Sequence, residues 1–200
     1  QIDSDKDPTV ILLHYNSIIE NSINYIPSRV KIEISCLSMD EPTENREIHS
    51  LIGECFPEED IDANSIVKTV LPTRTFLEKI FLLAEEFQKA KPRNLRMTRH
   101  LYDLERLMDS AYGKEALNNP TLYHAIVEHR KNYYALKYVN YEHLMPNIIN
   151  FMIPEAQKEA WNDDYKDMQR FFIYGKSIEF ETIIKRMEEL QTRIRNIPIL

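Results

Sequence analysis

Three glycines and two cysteines in 200 residues set the first limits on this chain. So little glycine leaves no Gly-rich loop of the kind that wraps phosphates with backbone N–H groups. Cys36 and Cys55 stand at no metal-ligand spacing. One pair of thiols in a chain this long is not a disulfide scaffold, so a reducing, cytoplasmic setting is expected. No apolar run approaches the roughly 20 residues of a membrane span, and the opening residues do not read as a signal peptide. His124 and His129 are five apart and do not share a helix face, and His14, His49 and His143 have no partners at ligand spacing. No Ser-His-Asp or Cys-His arrangement has support beyond composition.

What is present is an ordinary globular composition, 43% hydrophobic and 28% charged, long enough for one large domain or two small ones. Abundant Leu, Ile, Glu and Lys favour helix. The net charge of −7 is unevenly spread: residues 1–70 carry 14 acids and 5 bases, the remainder 18 acids and 20 bases. The second part is therefore the better candidate for meeting phosphate. Its densest basic run is Lys89, Lys91, Arg93, Arg96 and Arg99, beside His100, and it fits either a solvated loop or a phosphate-facing surface.

Asp7-Pro8 reads as a helix start. Leu12, Tyr15, Ile19, Ile23 and Ile26 then fall on one helical face as far as Pro27. Val30 to Cys36 alternates strictly and predicts a strand with Val30, Ile32, Ile34 and Cys36 on the core side. A loop rich in Asp, Glu and Pro follows. His49–Phe56 fits strand or helix, and Ser65–Leu71 is a second strand, rich in β-branched residues. From Pro72 the pattern is helical, over about 74–90, 97–109, 120–134, 154–172 and 178–197, punctuated by Pro92, Gly113, Pro120, Pro146, Pro154 and Gly175. The expected fold is α+β and mostly helical, divided into residues 1–71 and a helical domain over 72–200. Trp161, with Ala160, Tyr165, Met168 and Phe172, reads as helix core. Phe180, Ile183, Met187, Leu190, Ile194 and Ile197 form a short heptad seam, expected to pack on the chain's own helices.

Three residues invite a chemical reading. Lys79 lies at the edge of the apolar face made by Phe76, Leu77, Ile80, Leu83, Ala84 and Phe87. Its stem can follow that face while the ammonium enters a cleft and meets a β- or γ-phosphate; alternatively it snorkels and pairs with a nearby Glu. Asp103 points away from Leu101, Leu104, Leu107 and Met108, among Arg99, His100 and Arg106. It fits a carboxylate that positions a metal-bound nucleotide or a hydroxyl, and equally a surface ion-pair cluster. Glu33, mid-strand between Lys31 and Ser35, suits a metal ligand on a rigid element or a solvent-facing position.

The order of these segments carries a resemblance. A helix, then Val30-Lys31-Ile32-Glu33-Ile34, then Val70 to Lys79, then Arg96-Met97-Thr98-Arg99-His100-Leu101-Tyr102-Asp103-Leu104 resembles the AbiEii/AbiGii nucleotidyltransferase toxins. It is strongest from Val70 to Met108, and Trp161 to Met168 is also similar. The resemblance implies part of a polymerase-β-like nucleotidyltransferase sheet followed by an α-helical domain, in a toxin of a toxin–antitoxin or phage-defence pair. It implies transfer of a nucleotide from an NTP to an acceptor, tRNA in some members, with Mg2+. By position Glu33 matches a metal-binding acid, Lys79 a phosphate-binding lysine and Asp103 a late catalytic aspartate, with Arg74 and Arg99 as further phosphate-binding candidates. In such chemistry metals and cations neutralise charge on the reacting phosphates, and carboxylates hold the metals.

Two departures stand out. The family's Gly-Gly-Ser/Thr turn and paired-carboxylate strand are absent, since Asp3-Ser4-Asp5 sits in a polar lead-in; the chain, opening on Gln1, is expected to be cut from a longer protein and inactive by itself. The family often has an acid where this chain has His100. The second reading is a non-catalytic helical module that binds an antitoxin or another protein.

Overall fold

The computed structural model describes residues 9–16, 18, 27–34, 39, 42–58 and 64–199. Strands β1 (Thr9–His14) and β2 (Arg29–Ile34) form one antiparallel ribbon, and β3 (Thr43–Ile48) and β4 (Ser65–Val70) another. Helix α1 (Leu51–Cys55) lies between β3 and β4. The helices α2 (Pro72–Glu86), α3 (Thr98–Leu107), α4 (Ala111–Leu117), α5 (Pro120–His129), α6 (Lys158–Phe171) and α7 (Phe180–Arg195) follow. The fold is α+β and mostly helical, as expected.

The N-terminal helix expectation fails over Thr9–His14, which is strand. Thr9-Val10-Ile11 is a β-branched run, better suited to a pleat than to a helical turn, and its partner β2 supplies the ladder: Ile11 faces Ile32 and Leu13 faces Val30. Ile19, Ile23 and Ile26 lie outside the described residues, as does Cys36. The core face assigned to β2 is a second correction: Val30, Ile32 and Ile34 are all exposed. Alternation fixed which side chains share a face but not whether anything covers it. Thr43–Ile48, read as loop, is a strand held by β4, with Glu44 opposite Thr69 and Glu47 opposite Ile66. Its polar side chains give no apolar alternation to detect. The ambiguous 49–56 stretch resolves as α1, capped by the Ser50 hydroxyl, which accepts from Gly53 N at 2.8 Å.

Helix α2 is the central pillar. Pro72 occupies its first turn, where a missing N–H costs nothing. Phe76, Leu77, Ile80, Phe81, Leu83 and Ala84 are buried against α3, α4 and α5. The helix stops at Glu86, short of 90, because the chain folds back on the Glu86 carboxylate. That carboxylate accepts from Arg93 N at 2.8 Å, Arg93 Nη2 at 3.0 Å and Lys89 Nζ at 2.8 Å. Burial would raise the Glu86 carboxyl, but the bonds from Arg93 and Lys89 prevail and hold it below its usual range. Two members of the basic run are thus paired with one buried acid.

Gly113, read as punctuation, sits inside α4. A Cβ there would lie 2.2 Å from Leu107 O, so glycine permits α4 to start hard against the end of α3. The stretch read as one helix over 120–134 changes character at Arg130, where a π-helical turn, Arg130–Tyr134, ends on Ala135 with φ 45. Trp161, Tyr165 and Met168 are core as expected, whereas Ala160 and Phe172 are exposed. All six residues of the C-terminal seam are buried within this chain.

Candidate functional site

A cleft of about 360 Å³ opens where the end of β4 meets α2, α3 and the π-helical turn. Val70, Arg74, Thr75, Glu78, Lys79, Leu82, His100, Arg130 and Tyr134 line it. The lining holds three permanent cations and one carboxylate, and two further carboxylates, Asp103 and Glu85, pair with Lys79 and Arg130 from just behind it.

Lys79 and Asp103 meet at this cleft. Lys79 Nζ stands 2.8 Å from Asp103 Oδ2, the two side chains 21% and 41% exposed. Spacing along single helices suggested other partners: a nearby Glu for Lys79, and the arginines of α3 for Asp103. Instead each side chain finds its partner on the other helix. Arg99 and Arg106 are exposed on α3, and Arg99 does not line the cleft.

Arg74 does line it, but from below. It is buried, donates to the Met39 carbonyl and lies 3.4 Å from Glu78 Oε1. Glu78 also accepts from Arg130 Nη1. Arg130 is buried as well, and makes a two-pronged contact with Glu85: Nε to Oε1 at 2.7 Å and Nη2 to Oε2 at 2.5 Å. Its guanidinium lies 4.6 Å from the Tyr134 ring centroid. Burial opposes the Arg130 charge, but the Glu85 hydrogen bonds and the charges of Glu85 and Glu78 outweigh it and raise its pKa. Arg74, Glu78, Arg130 and Glu85 thus form a buried chain of alternating charge beneath the accessible Lys79. Two guanidiniums are matched there by two carboxylates, so both arginines are committed to the structure.

His100 closes one side. It is 7% exposed, and its Nδ1 has no hydrogen-bond partner among the described residues. Burial, then the charges of Lys79, Arg99 and Arg93, push its pKa down to about 3, so the ring is neutral at physiological pH.

Helix α3, which carries His100 and Asp103, is placed by Asp164 of α6. Asp164 Oδ1 accepts from Arg96 N at 2.5 Å, and Oδ2 accepts from Thr98 N at 3.1 Å and Thr98 Oγ1 at 2.5 Å. The helix's first N–H groups are satisfied from another element rather than by their own cap.

Glu33 does not join this cleft. Its side chain is 64% exposed and pairs with Lys31 at 2.8 Å. Among the described residues no three His, Cys, Asp or Glu side chains gather as a metal site. The cleft's carboxylate Glu78, like Glu85 and Asp103 behind it, is already engaged by cations. The described residues therefore do not fit a Mg2+ ion by themselves.

Sequence reasoning missed Glu78, Glu85, Arg130, Tyr134 and the role of Asp164. The Arg74–Glu78 spacing of four was visible on the helix. Arg130 was not, because its partners lie 45 and 52 residues away.

No helix among the described residues is long and apolar enough to cross a membrane. The model of the nucleotidyl transferase AbiEii toxin family, of a type IV toxin–antitoxin system, matches residues 1–186. No curated protein and no solved structure matches the chain.

Proposed function

The chain belongs to the AbiEii nucleotidyl transferase toxin family, and from that premise we propose that the cleft beside Lys79 and Asp103 receives the phosphates of an NTP. The family implies a cognate antitoxin as partner. The observation that carries the reading is the convergence of two helices on one ion pair, 2.8 Å long, at the mouth of a cleft whose accessible cation is Lys79.

In this reading Lys79 is the phosphate-binding group. Its ammonium can leave a half-exposed carboxylate for a polyphosphate of higher charge with little desolvation to overcome. Asp103, the catalytic aspartate, orients that ammonium before the ligand arrives. Arg74 and Arg130, paired with Glu78 and Glu85, fix the floor on which Lys79 stands. Arg99, exposed on the same helix as Asp103, is kept as a contact to the outer part of the nucleotide or to the acceptor, for which the family resemblance suggests tRNA.

Mg2+, when bound, neutralises charge on the reacting phosphates. On family grounds Glu33 would help to hold that ion, but it stands outside the cleft and is paired with Lys31. We propose accordingly that the 200-residue chain by itself does not transfer nucleotides, because its sequence has no Gly-Gly-Ser/Thr turn and no strand among the described residues carries two alternate acids. The division into a nucleotidyltransferase-like part over 1–71 and a helical domain over 72–200 belongs to the same proposal.

Two measurements test this. Equilibrium binding of the four ribonucleoside triphosphates is expected to weaken at least tenfold in Lys79→Met, about the worth of one charge-assisted contact; equal binding sinks the site. Incubation with labelled triphosphates, Mg2+ and tRNA is expected to give no incorporation, and robust transfer refutes the inactivity.

A second reading draws on the ribbon of β1 and β2, whose Ile11, Leu13, Val30, Ile32 and Ile34 are exposed. An apolar strip of this kind marks a protein-binding surface, and favours an interaction module that engages an antitoxin or another protein.

A further inference from the structure

Beyond His129 the α5 helix widens into its π-helical turn, closed by Ala135 N donating to Arg130 O at 3.0 Å. The turn ends on Ala135 at φ 45, a left-handed conformation that costs an alanine energy. π-turns and backbone outliers of this kind gather at functional sites.

The widened turn decides which rings meet. In an α-helix a side chain shares its face with residues three and four ahead, not five. Here His129 meets both tyrosines. Its ring stacks on Tyr133, with centroids 4.6 Å apart and planes at 24°, and stands edge-on to Tyr134 at 6.2 Å. Tyr134 lines the cleft with Lys79, whereas His129 and Tyr133 stand outside that lining. A file of rings thus runs from the cleft wall to the open surface. At its outer end Tyr133 is 61% exposed, so with one face on His129 the opposite face meets water.

A flat aromatic face, held in place by a ring behind it, suits an unpaired nucleobase, because every base has a π-face to offer. Lys131 and Lys137 are exposed on either side of Tyr133 in the sequence. Glu128 and Glu142 each lie 4.0 Å from Lys131 Nζ. The charge is close to balanced, so this surface holds a base by its ring and gives the attached phosphates only a mild attraction. Since Tyr133 stands outside the cleft, the base it takes belongs to the second substrate rather than to the nucleotide within.

We propose that Tyr133, backed by His129, is a stacking platform for an unpaired base of a single-stranded nucleic-acid acceptor. Its role as acceptor site rests on the neighbouring cleft's being the triphosphate site; the stacking itself does not.

The test is fluorescence anisotropy of the purified protein at low salt with labelled single-stranded oligoribonucleotides of about eight residues, oligo-A and oligo-C, and with an abasic strand of the same length. Calorimetry with non-hydrolysable triphosphate analogues and magnesium runs beside it. Tyr133→Ala is expected to bind the base-bearing strands about fivefold or more weakly, and Tyr133→Trp to stay within about threefold of wild type. The abasic strand is expected to bind wild type as weakly as the base-bearing strands bind Tyr133→Ala. Triphosphate binding is expected to be unchanged in Tyr133→Ala and impaired in Lys79→Met. Strand binding of wild-type strength by Tyr133→Ala, equal binding of the abasic strand, or no strand binding by wild type overturns the platform and leaves the cleft reading intact if Lys79→Met is impaired. Loss of triphosphate binding in Tyr133→Ala also overturns it, because the ring then serves the nucleotide's own base. Strand binding that depends on Tyr133, with triphosphate binding indifferent to Lys79→Met, removes the cleft reading and the acceptor role together. Should Tyr133→Ala fail to fold, Tyr133→Leu decides, since it keeps an apolar contact to His129 without an aromatic face.

Discussion

Asp164 grips Thr98 twice through one oxygen, Oδ2 accepting from the backbone N at 3.1 Å and from the hydroxyl at 2.5 Å. The two residues are 66 positions apart, and the grip sets the start of the helix that presents His100 and Asp103. Asp164→Asn keeps the shape but loses the charge and turns one acceptor into a donor facing N–H groups. It is expected to cost about 2 kcal/mol in urea unfolding, in line with buried hydrogen bonds to a charged group. A change under about 0.5 kcal/mol contradicts the account of how α3 is placed.

The Arg130–Glu85 pair gives a harsher result when halved. Both side chains are 5% exposed, so Arg130→Met strands the Glu85 charge and Glu85→Gln leaves Arg130 with Glu78 alone. Arg130→Met or Glu85→Gln is expected to destabilise by about 3–5 kcal/mol. The double variant should be less damaged than the sum of the singles, because Glu85 is no longer a buried charge without its partner. Additive losses from a double-mutant cycle contradict direct coupling.

Lys79 and Asp103 behave differently because water reaches both. Lys79→Met and Asp103→Asn are each expected to change stability by less than about 1 kcal/mol, the range of exposed pairs. Thermal melts check this. With stability unchanged, any loss of triphosphate binding in Lys79→Met belongs to the contact and not to unfolding.

Gly113→Ala reverses an ordinary expectation. Alanine inside a helix normally gains about 0.5–1 kcal/mol over glycine. Here the new Cβ would meet backbone at 2.2 Å and 2.9 Å, Leu107 O and Met108 Cα. A loss of about 1–3 kcal/mol is expected, the cost of overpacking, and a gain in melting temperature contradicts the close approach of α3 and α4.

Acid should weaken the fold through His100. Its folded pKa is about 3 against an ordinary 6.5, so between those values the unfolded chain binds a proton that the folded chain refuses. Stability is full above pH 6.5 and falls as pH drops toward 3, by about 1 kcal/mol per unit for this one group. Glu86, depressed below its ordinary 4.5, adds a loss of the same sign at pH below that value. Urea midpoints measured from pH 7 to 4 should show the His100 slope in wild type and a flatter limb in His100→Asn; parallel limbs contradict it.

The amino-acid order by itself determined the features that short-range chemistry dictates. A helix over about 74–90, with Phe76, Leu77, Ile80 and Leu83 inward, was legible because 3.6-residue spacing forces those side chains to one side, although its observed bounds are Pro72–Glu86. So was the seam from Phe180 to Ile197, and so were the segments that place the chain in its family. Reading Thr9–His14 as helix failed because apolar residues at nearly every position satisfy either period, and pairing with β2 settled the matter. Only the tertiary structure could bring Lys79 to Asp103, bury Arg130 between two acids of α2, and pair Glu33 with Lys31 away from the cleft. Those outcomes depend on which surfaces meet, and periodicity along one element carries no information about its partner's charge, distance or presence.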